Sequence, residues 1–227
     1  MIRYTVRDDI HAAWSYGEIV ILDVLRDRYF GLGQNASRTF ASIASGERPD
    51  DDAVVAQLLA SDLIVPTPDG EIRSVRITSA PEFGGLPVCE WRPGEGLIAR
   101  PVGVIAAAVT VAGLDRVLRT LKLRGLIRAL QNLNLRPASA VDDAILGGIN
   151  SAVIVVRRWY PRRVDCLLGS AVTWSLLIRH GVAAELHIGV QKYPLYAHAW
   201  VEHQGRVVND DSIVSRRLPR VLTLRPK

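Results

Sequence analysis

Cys166, His198 and Asp210 are the side chains of this chain whose types and spacing could carry out covalent chemistry. A thiolate can attack a carbonyl, an imidazole can move its proton, and a carboxylate can hold that imidazole in one tautomer. Together they are the parts of acyl transfer through a thioester. His198 follows Cys166 by 32 residues, and Asp210 follows His198 by 12. Such spacings put the three on separate elements, so the chemistry depends on those elements meeting.

The pattern around each residue says what those elements are. From Cys166 to His180, the residues Leu167, Leu168, Ala171, Val172, Trp174, Leu176, Leu177 and Ile178 leave no long polar face. That predicts a buried helix stopped by Gly181. Cys166 falls in or near its first turn, where unpaired backbone N–H groups and the positive end of the dipole favour a thiolate. The same N–H groups could receive an oxyanion. Residues 184–190 alternate, with Leu186, Ile188 and Val190 on one face. Residues 197–203 alternate too, with His198, Trp200 and Glu202 opposite Ala197, Ala199 and Val201. Gln204-Gly205 makes a tight turn and residues 206–209 return as a third strand, which sets His198 and Asp210 on adjacent antiparallel strands.

Each piece has an ordinary alternative. A cysteine at a helix start is usually a small buried hydrophobe, a strand histidine is usually structural, and an aspartate after a strand is usually turn chemistry. Their joint order, helix then strand then strand, favours catalysis and is that of the papain and transglutaminase-like core. The segments 166–171, 177–190, 197–202 and 208–210 also resemble the lasso-peptide biosynthesis B proteins, closely over about residues 145–215. The resemblance implies a transglutaminase-like cysteine protease that removes the leader from a ribosomally made precursor. By motif match Cys166 is then the nucleophile, His198 the general base and Asp210 the orienting acid, with the neighbouring Asp211 as the alternative acid. Where that family often carries an arginine two or three residues after the cysteine, this chain has Leu168-Gly169.

The totals fit a globular enzyme. A chain of 227 residues holds one large or two small domains, and 48% hydrophobic with 22% charged residues can bury a core. Two cysteines 77 positions apart make neither a disulfide framework nor a metal set. The N-terminus lacks the apolar core of a signal peptide, so a cytoplasmic location is expected. The net charge of +5 is compatible with an acidic peptide, a membrane surface or nucleic acid, and selects none. No metal is expected: His180, His187, His198 and His203 show no i, i+4 pair on one helix, and no second cysteine lies near Cys166. His187 shares its strand face with Glu185 rather than with the apolar residues.

Residues 1–66 read as a small domain. Residues 11–14, 18–23 and 27–32 are strand-like, Asn35 is a candidate N-cap for a helix to about Ser45, and Gly46 stops it. Asp50-Asp51-Asp52 opens a second helix carrying Val54, Val55, Leu58 and Leu59, and residues 63–65 close the unit as a strand. Strands followed by helices resemble the leader-recognition element of ribosomal-peptide pathways, the fold of the pyrroloquinoline-quinone peptide chaperone. That resemblance implies a groove between Arg28-Tyr29-Phe30-Gly31-Leu32 and the face carrying Val55 and Leu59, where a leader adds as an extra strand. Only one of Tyr29 and Phe30 can face the core, because adjacent strand residues point opposite ways. A winged-helix outline also raises DNA binding. The second helix begins with three aspartates that would repel phosphate, so peptide binding is preferred and no nucleic acid is expected.

The middle of the chain is less specific. Residues 67–96 are rich in proline and glycine and read as a linker, with a strand over 71–78 and no role for Cys89. Residues 101–114 are apolar but too short to span a bilayer, and read as a buried core helix. Residues 115–136 form a basic amphipathic pattern, preferred as a solvated face over a core stripe, with docking to a partner enzyme as the alternative and Gly125 weakening any single long helix. Residues 141–159 suggest one more helix, broken near Gly147-Gly148. Arg157, Arg158, Arg162 and Arg163 precede Cys166, where they could steer acidic substrate or favour its thiolate; plain surface charge is as good a reading.

The expected fold is α+β: a winged-helix-like leader-binding domain over 1–66, a linker over 67–96, and a papain/transglutaminase-like cysteine protease domain over 97–227. The expected activity is cleavage of a lasso-peptide precursor between leader and core, with no cofactor bound directly. The resemblance implies a lasso cyclase as partner, with ATP acting through it; no glycine-rich phosphate loop is present here. Membrane association stays open. Two other readings use the same residues: a transglutaminase-like acyl transferase, or a non-catalytic module that binds the precursor peptide.

Overall fold

Alternating apolar residues and two tight turns set the first part of the chain. The computed structural model describes residues 3–67, 75, 77–79, 101–135, 143–213 and 217–227. Strand β1 (Arg3–Val6) leads to β2 (Ile10–Ser15), β3 (Glu18–Asp23) and β4 (Arg28–Gly31). Tyr16 and Gly17 both have positive φ, so a two-residue turn brings Ser15 opposite Glu18 and fixes the β2–β3 register. Helix α1 (Gln34–Ser45) is followed by α2 (Asp52–Ala60), β5 (Ile64–Thr67) and the short β6 (Thr78–Ser79). One sheet has the order β4-β3-β2-β6, and β1 pairs separately with β5. Ile10, Ile19, Ile21, Phe40, Ile43, Val55, Leu58 and Ile64 share one buried core.

The helix ends follow capping chemistry, with one change from expectation. Asp51 caps α2, its carboxylate accepting the Val54 N–H at 3.0 Å, and Gly46 ends α1 with a φ of 83°. Asn35 is not the cap of α1; Gly33 holds that position without a side-chain bond. Asn35 instead donates from Nδ2 to Asp51 Oδ2 at 2.8 Å, joining the two helix starts. The β1 strand carries no clear alternation and was not anticipated; it exists because β5 offers it a ladder.

The second part is helical, then stranded. Helix α3 (Pro101–Gln131) packs with α4 (Asp143–Trp159) and α5 (Cys166–Arg179). Strands β7 (Glu185–Gln191), β8 (Tyr196–His203), β9 (Arg206–Val207) and β10 (Arg220–Leu224) form a sheet of order β10-β7-β8-β9. Three expectations change here. The break in α3 falls at Lys122, whose φ of 58° and ψ of −164° are non-helical, rather than at Gly125. Helix α4 runs unbroken through Gly147-Gly148, with the Ser151 hydroxyl donating to the Gly147 carbonyl at 2.7 Å. Residues 101–114 are not buried all round: Ala107 and Val111 are covered, while Ile105 and Val109 are 65% and 68% exposed, because neighbours pack only one face. No helix among the described residues is long and apolar enough to cross a membrane.

By compactness the chain divides into two units. Residues 1–85, 190–196 and 219–222 form the first, and residues 86–189, 197–218 and 223–227 form the second. Of the expected linker over 67–96 with its strand over 71–78, only residues 67, 75 and 77–79 are described, Thr78–Ser79 forming β6; the rest, Cys89 included, lies outside the described residues.

Candidate active site

Helix α5 begins where a cap and a change of pattern coincide. Asp165 is the N-cap, in extended conformation, and its Oδ1 accepts the Leu168 N–H at 2.9 Å. Cys166 is therefore the first helical residue, partly exposed at the positive end of a helix whose residues 168–178 are all buried. Gly181, with a φ of 78°, takes the chain off the helix.

His198 projects from β8, whose hairpin partner is fixed by the turn at Gln204 and Gly205, both with positive φ. Glu202 lies opposite Val207, and His203 opposite Arg206. The returning strand ends after Val207, two residues short of expectation. The Asn209 side chain takes the place of the ladder, its Oδ1 accepting the Val201 N–H at 2.8 Å. Asp210 thus reaches His198 from a bend and not from an adjacent strand.

The three side chains meet. His198 Nε2 lies 2.5 Å from Asp210 Oδ2, with the two side chains only 4% and 6% exposed. Cys166 is the other side chain that bears on His198, by hydrogen bonding and by charge. Burial works against the imidazolium, but the bonds to Asp210 and Cys166 outweigh it and push the His198 pKa up to about 9. Asp211 is not brought to the histidine: its Oδ1 accepts the Ile213 N–H at 2.9 Å in the following turn. That geometry separates the two candidate acids, which the sequence left one residue apart.

Two polar groups that sequence patterns did not single out tie together the elements of this site. Ser170 and Asn209 are both fully buried; Asn209 Nδ2 donates to Ser170 Oγ at 2.8 Å, and Ser170 Oγ donates to the Ala199 carbonyl at 2.8 Å. Trp200 Nε1 donates to Glu202 Oε1 at 2.7 Å. His187 does lie beside Glu185, with Nε2 3.4 Å from its carboxylate, yet it is fully buried, since β7 is covered on both faces. Its Nδ1 meets Thr223 Oγ1 at 2.9 Å and its ring packs 5.5 Å from that of Trp200. A lone Ser, Asn or His on an apolar element gives no periodic signal, so only the fold finds these contacts. Ahead of the cysteine, Tyr160 donates to Asp115 Oδ2 at 2.9 Å, and Arg162 lies 3.6 Å from the same oxygen. Among the described residues no three His, Cys, Asp or Glu side chains gather as a metal set.

The residues expected to hold a leader lie in the first unit. Strand β4, with Arg28, Tyr29, Phe30 and Gly31, lies at one edge of its sheet. Phe30 packs against the core and its ring sits 5.2 Å from the Arg28 guanidinium carbon. Leu32 follows the strand and is buried, with its carbonyl accepting from Lys192 Nζ at 2.6 Å. On α2, Val55 is buried in the core and Leu59 packs at its margin.

A helix headed by a cysteine, followed by a strand bearing a histidine and a bend bearing an aspartate, describes a class of protein before it describes one member. Residues 108–223, just over half the chain, match the family model of the transglutaminase-like superfamily, and the chain belongs to that superfamily. It is also similar to the microcin J25-processing protein McjB of Escherichia coli, 44% identical over 46 residues, a stretch that is 20% of this chain and 22% of that protein. The two likenesses bear out the resemblance to the lasso-peptide biosynthesis B proteins. No solved structure matches the chain significantly.

Proposed function

We propose that this protein is a cysteine peptidase that binds the leader of a ribosomally made lasso-peptide precursor and cuts between leader and core. The observation that carries the reading is the buried contact of His198 with both Asp210 and Cys166. His198 takes the Cys166 proton as the sulfur attacks. The S–C bond forms at the last leader carbonyl, the C–N bond breaks, and the imidazolium proton goes to the leaving amine of the core. Water then attacks the thioester, His198 takes its proton, and the leader leaves as a carboxylic acid with Cys166 restored. The N–H groups at the start of α5 are the natural donors to the oxyanion.

The leader is read by the first unit in its winged-helix-like arrangement of strands and helices. The edge strand β4 offers backbone pairing to an added strand along Arg28, Tyr29, Phe30, Gly31 and Leu32, with Leu59 and buried Val55 of α2 as the proposed facing wall. Holding the leader this way raises the local concentration of the scissile bond. The cyclase partner and its ATP complete the pathway in this reading, and the protein itself works without a bound cofactor.

Superfamily membership supports one second reading, transfer of the acyl group to an amine instead of water. Mass spectrometry of a leader-bearing precursor, incubated with protein and cyclase beside the Cys166→Ala variant, decides among these. Free leader and core masses from the wild type alone establish the peptidase. An amide-linked product in place of hydrolysis establishes the transferase. Equal masses with either protein, while the leader still binds, overturn both and leave a binding module.

A further inference from the structure

Each member of the Cys166, His198 and Asp210 constellation has a neighbour in one buried hydrogen-bond chain. Ser170 lies one helical turn below Cys166, on the same face of α5. Ala199 follows His198, and Asn209 precedes Asp210. Asn209 Oδ1 accepts the Val201 N–H, Asn209 Nδ2 donates to Ser170 Oγ, and Ser170 Oγ donates to the Ala199 carbonyl, each at 2.8 Å. The chain has one direction: the hydroxyl has a single proton, given to a carbonyl, and so must accept from the amide. Ser170, Asn209 and Val201 are fully buried and Ala199 is 1% exposed, so water cannot substitute for a lost partner.

We infer that Ser170 and Asn209 are positioning residues, a clamp that sets helix α5, strand β8 and the bend after β9 at the spacing the Cys166–His198–Asp210 contacts require. The inference rests on the peptidase reading and deepens it. Asn209 is suited to this in a way the ladder is not. A strand continued past Val207 would pair residue for residue, whereas an amide replaces one ladder bond and frees the chain to bend at Asp210. The clamp acts through Cys166, His198 and Asp210, which carry the chemistry in that reading.

The test is the pH–rate profile of precursor cleavage by the full chain, for wild type, Ser170→Ala and Asn209→Asp, with thermal melts alongside. Asn209→Asp keeps the shape and removes the donor; Ser170→Ala is the smaller change should the first fail to fold. In the wild type the alkaline limb follows His198, near 9. In folded variants that limb should move toward the ordinary histidine value of about 6.5, with kcat lowered 10- to 100-fold and KM within about twofold. Variants that lose melting temperature but keep the wild-type profile and kcat overturn the clamp and leave the peptidase reading standing. A wild type that binds the leader and does not cleave overturns the peptidase reading, and the clamp with it.

Discussion

At the scale of the residue, His198 decides the pH behaviour. Its pKa is pushed up to about 9 by Asp210 and Cys166 against the cost of burial. A histidine raised above its unfolded value of about 6.5 contributes stability that is fully present below pH 6.5 and lost as pH rises through 9. The wild type should therefore lose up to about 3 kcal/mol between those limits, seen as a fall in melting temperature that a His198→Ala variant lacks. Activity needs the same proton, so kcat/KM should decline as pH rises through about 9. Asp210→Asn removes the main support for the imidazolium. It should draw that alkaline limb down toward 6.5 and lower kcat by a factor on the order of 10²–10⁴, while Asp211→Asn leaves the limb in place. A pH–rate profile for the three proteins checks this, and an Asp211→Asn profile that shifts would reassign the acid.

At the scale of the element, caps and close approaches hold the site. Asp165 satisfies a donor at the start of α5, and Asp165→Ala should cost about 1 kcal/mol in chemical denaturation. Gly189 is needed for a different reason: a Cβ there would stand 2.7 Å from both Leu218 Cβ and the Trp200 ring. Gly189→Ala should thus destabilise by about 1–3 kcal/mol through overpacking; an unchanged denaturation midpoint would show that β7 tolerates the shift. In the first unit, Tyr29 is the member of the Tyr29–Phe30 pair that is not part of the core cluster. Tyr29→Ala should weaken leader binding about tenfold, or 1.4 kcal/mol, in a fluorescence titration, with cleavage of leaderless peptide unaffected.

At the scale of the whole molecule, the proposed function gives leader reading and chemistry to different units. Free leader added in trans should raise the apparent KM for precursor and leave kcat unchanged, because it competes only for the site that concentrates the substrate. A fall in kcat instead would mean that the leader site and the cysteine are coupled. The first unit also carries its own charge network. Fully buried Asp23 meets Arg7 at 2.8 Å, Arg26 at 3.2 Å and Arg28 at 3.4 Å. Burial works against its carboxylate, but bonds from Arg26 and Arg7 hold the carboxyl below its usual range. Arg7→Ala leaves that charge short of a partner and should cost about 2–4 kcal/mol, abolishing leader binding before it alters alkylation of Cys166.

Much of this was legible in the sequence because it is local. The Cys166 helix start, the β2–β3 and β8–β9 turns, the Asp51 cap and the Gly46 stop each follow from residues within a few positions, where backbone sterics and hydrogen bonding act. The order of cysteine, histidine and aspartate pointed to the chemistry proposed here, and the resemblance over 145–215 pointed to the family. What needed tertiary structure was less local. Gly33 and not the expected Asn35 caps α1, α3 breaks at Lys122, which carries no breaking signal of its own, and not at Gly125, and Asp210 meets His198 where Asp211 does not. The last was decided by Asn209, which ends the β9 ladder early and turns Asp210 inward, while Asp211 closes its own turn. A hydrogen bond across 8 to 39 residues leaves no period in a sequence, and its energy exists only once packing has excluded water from both partners.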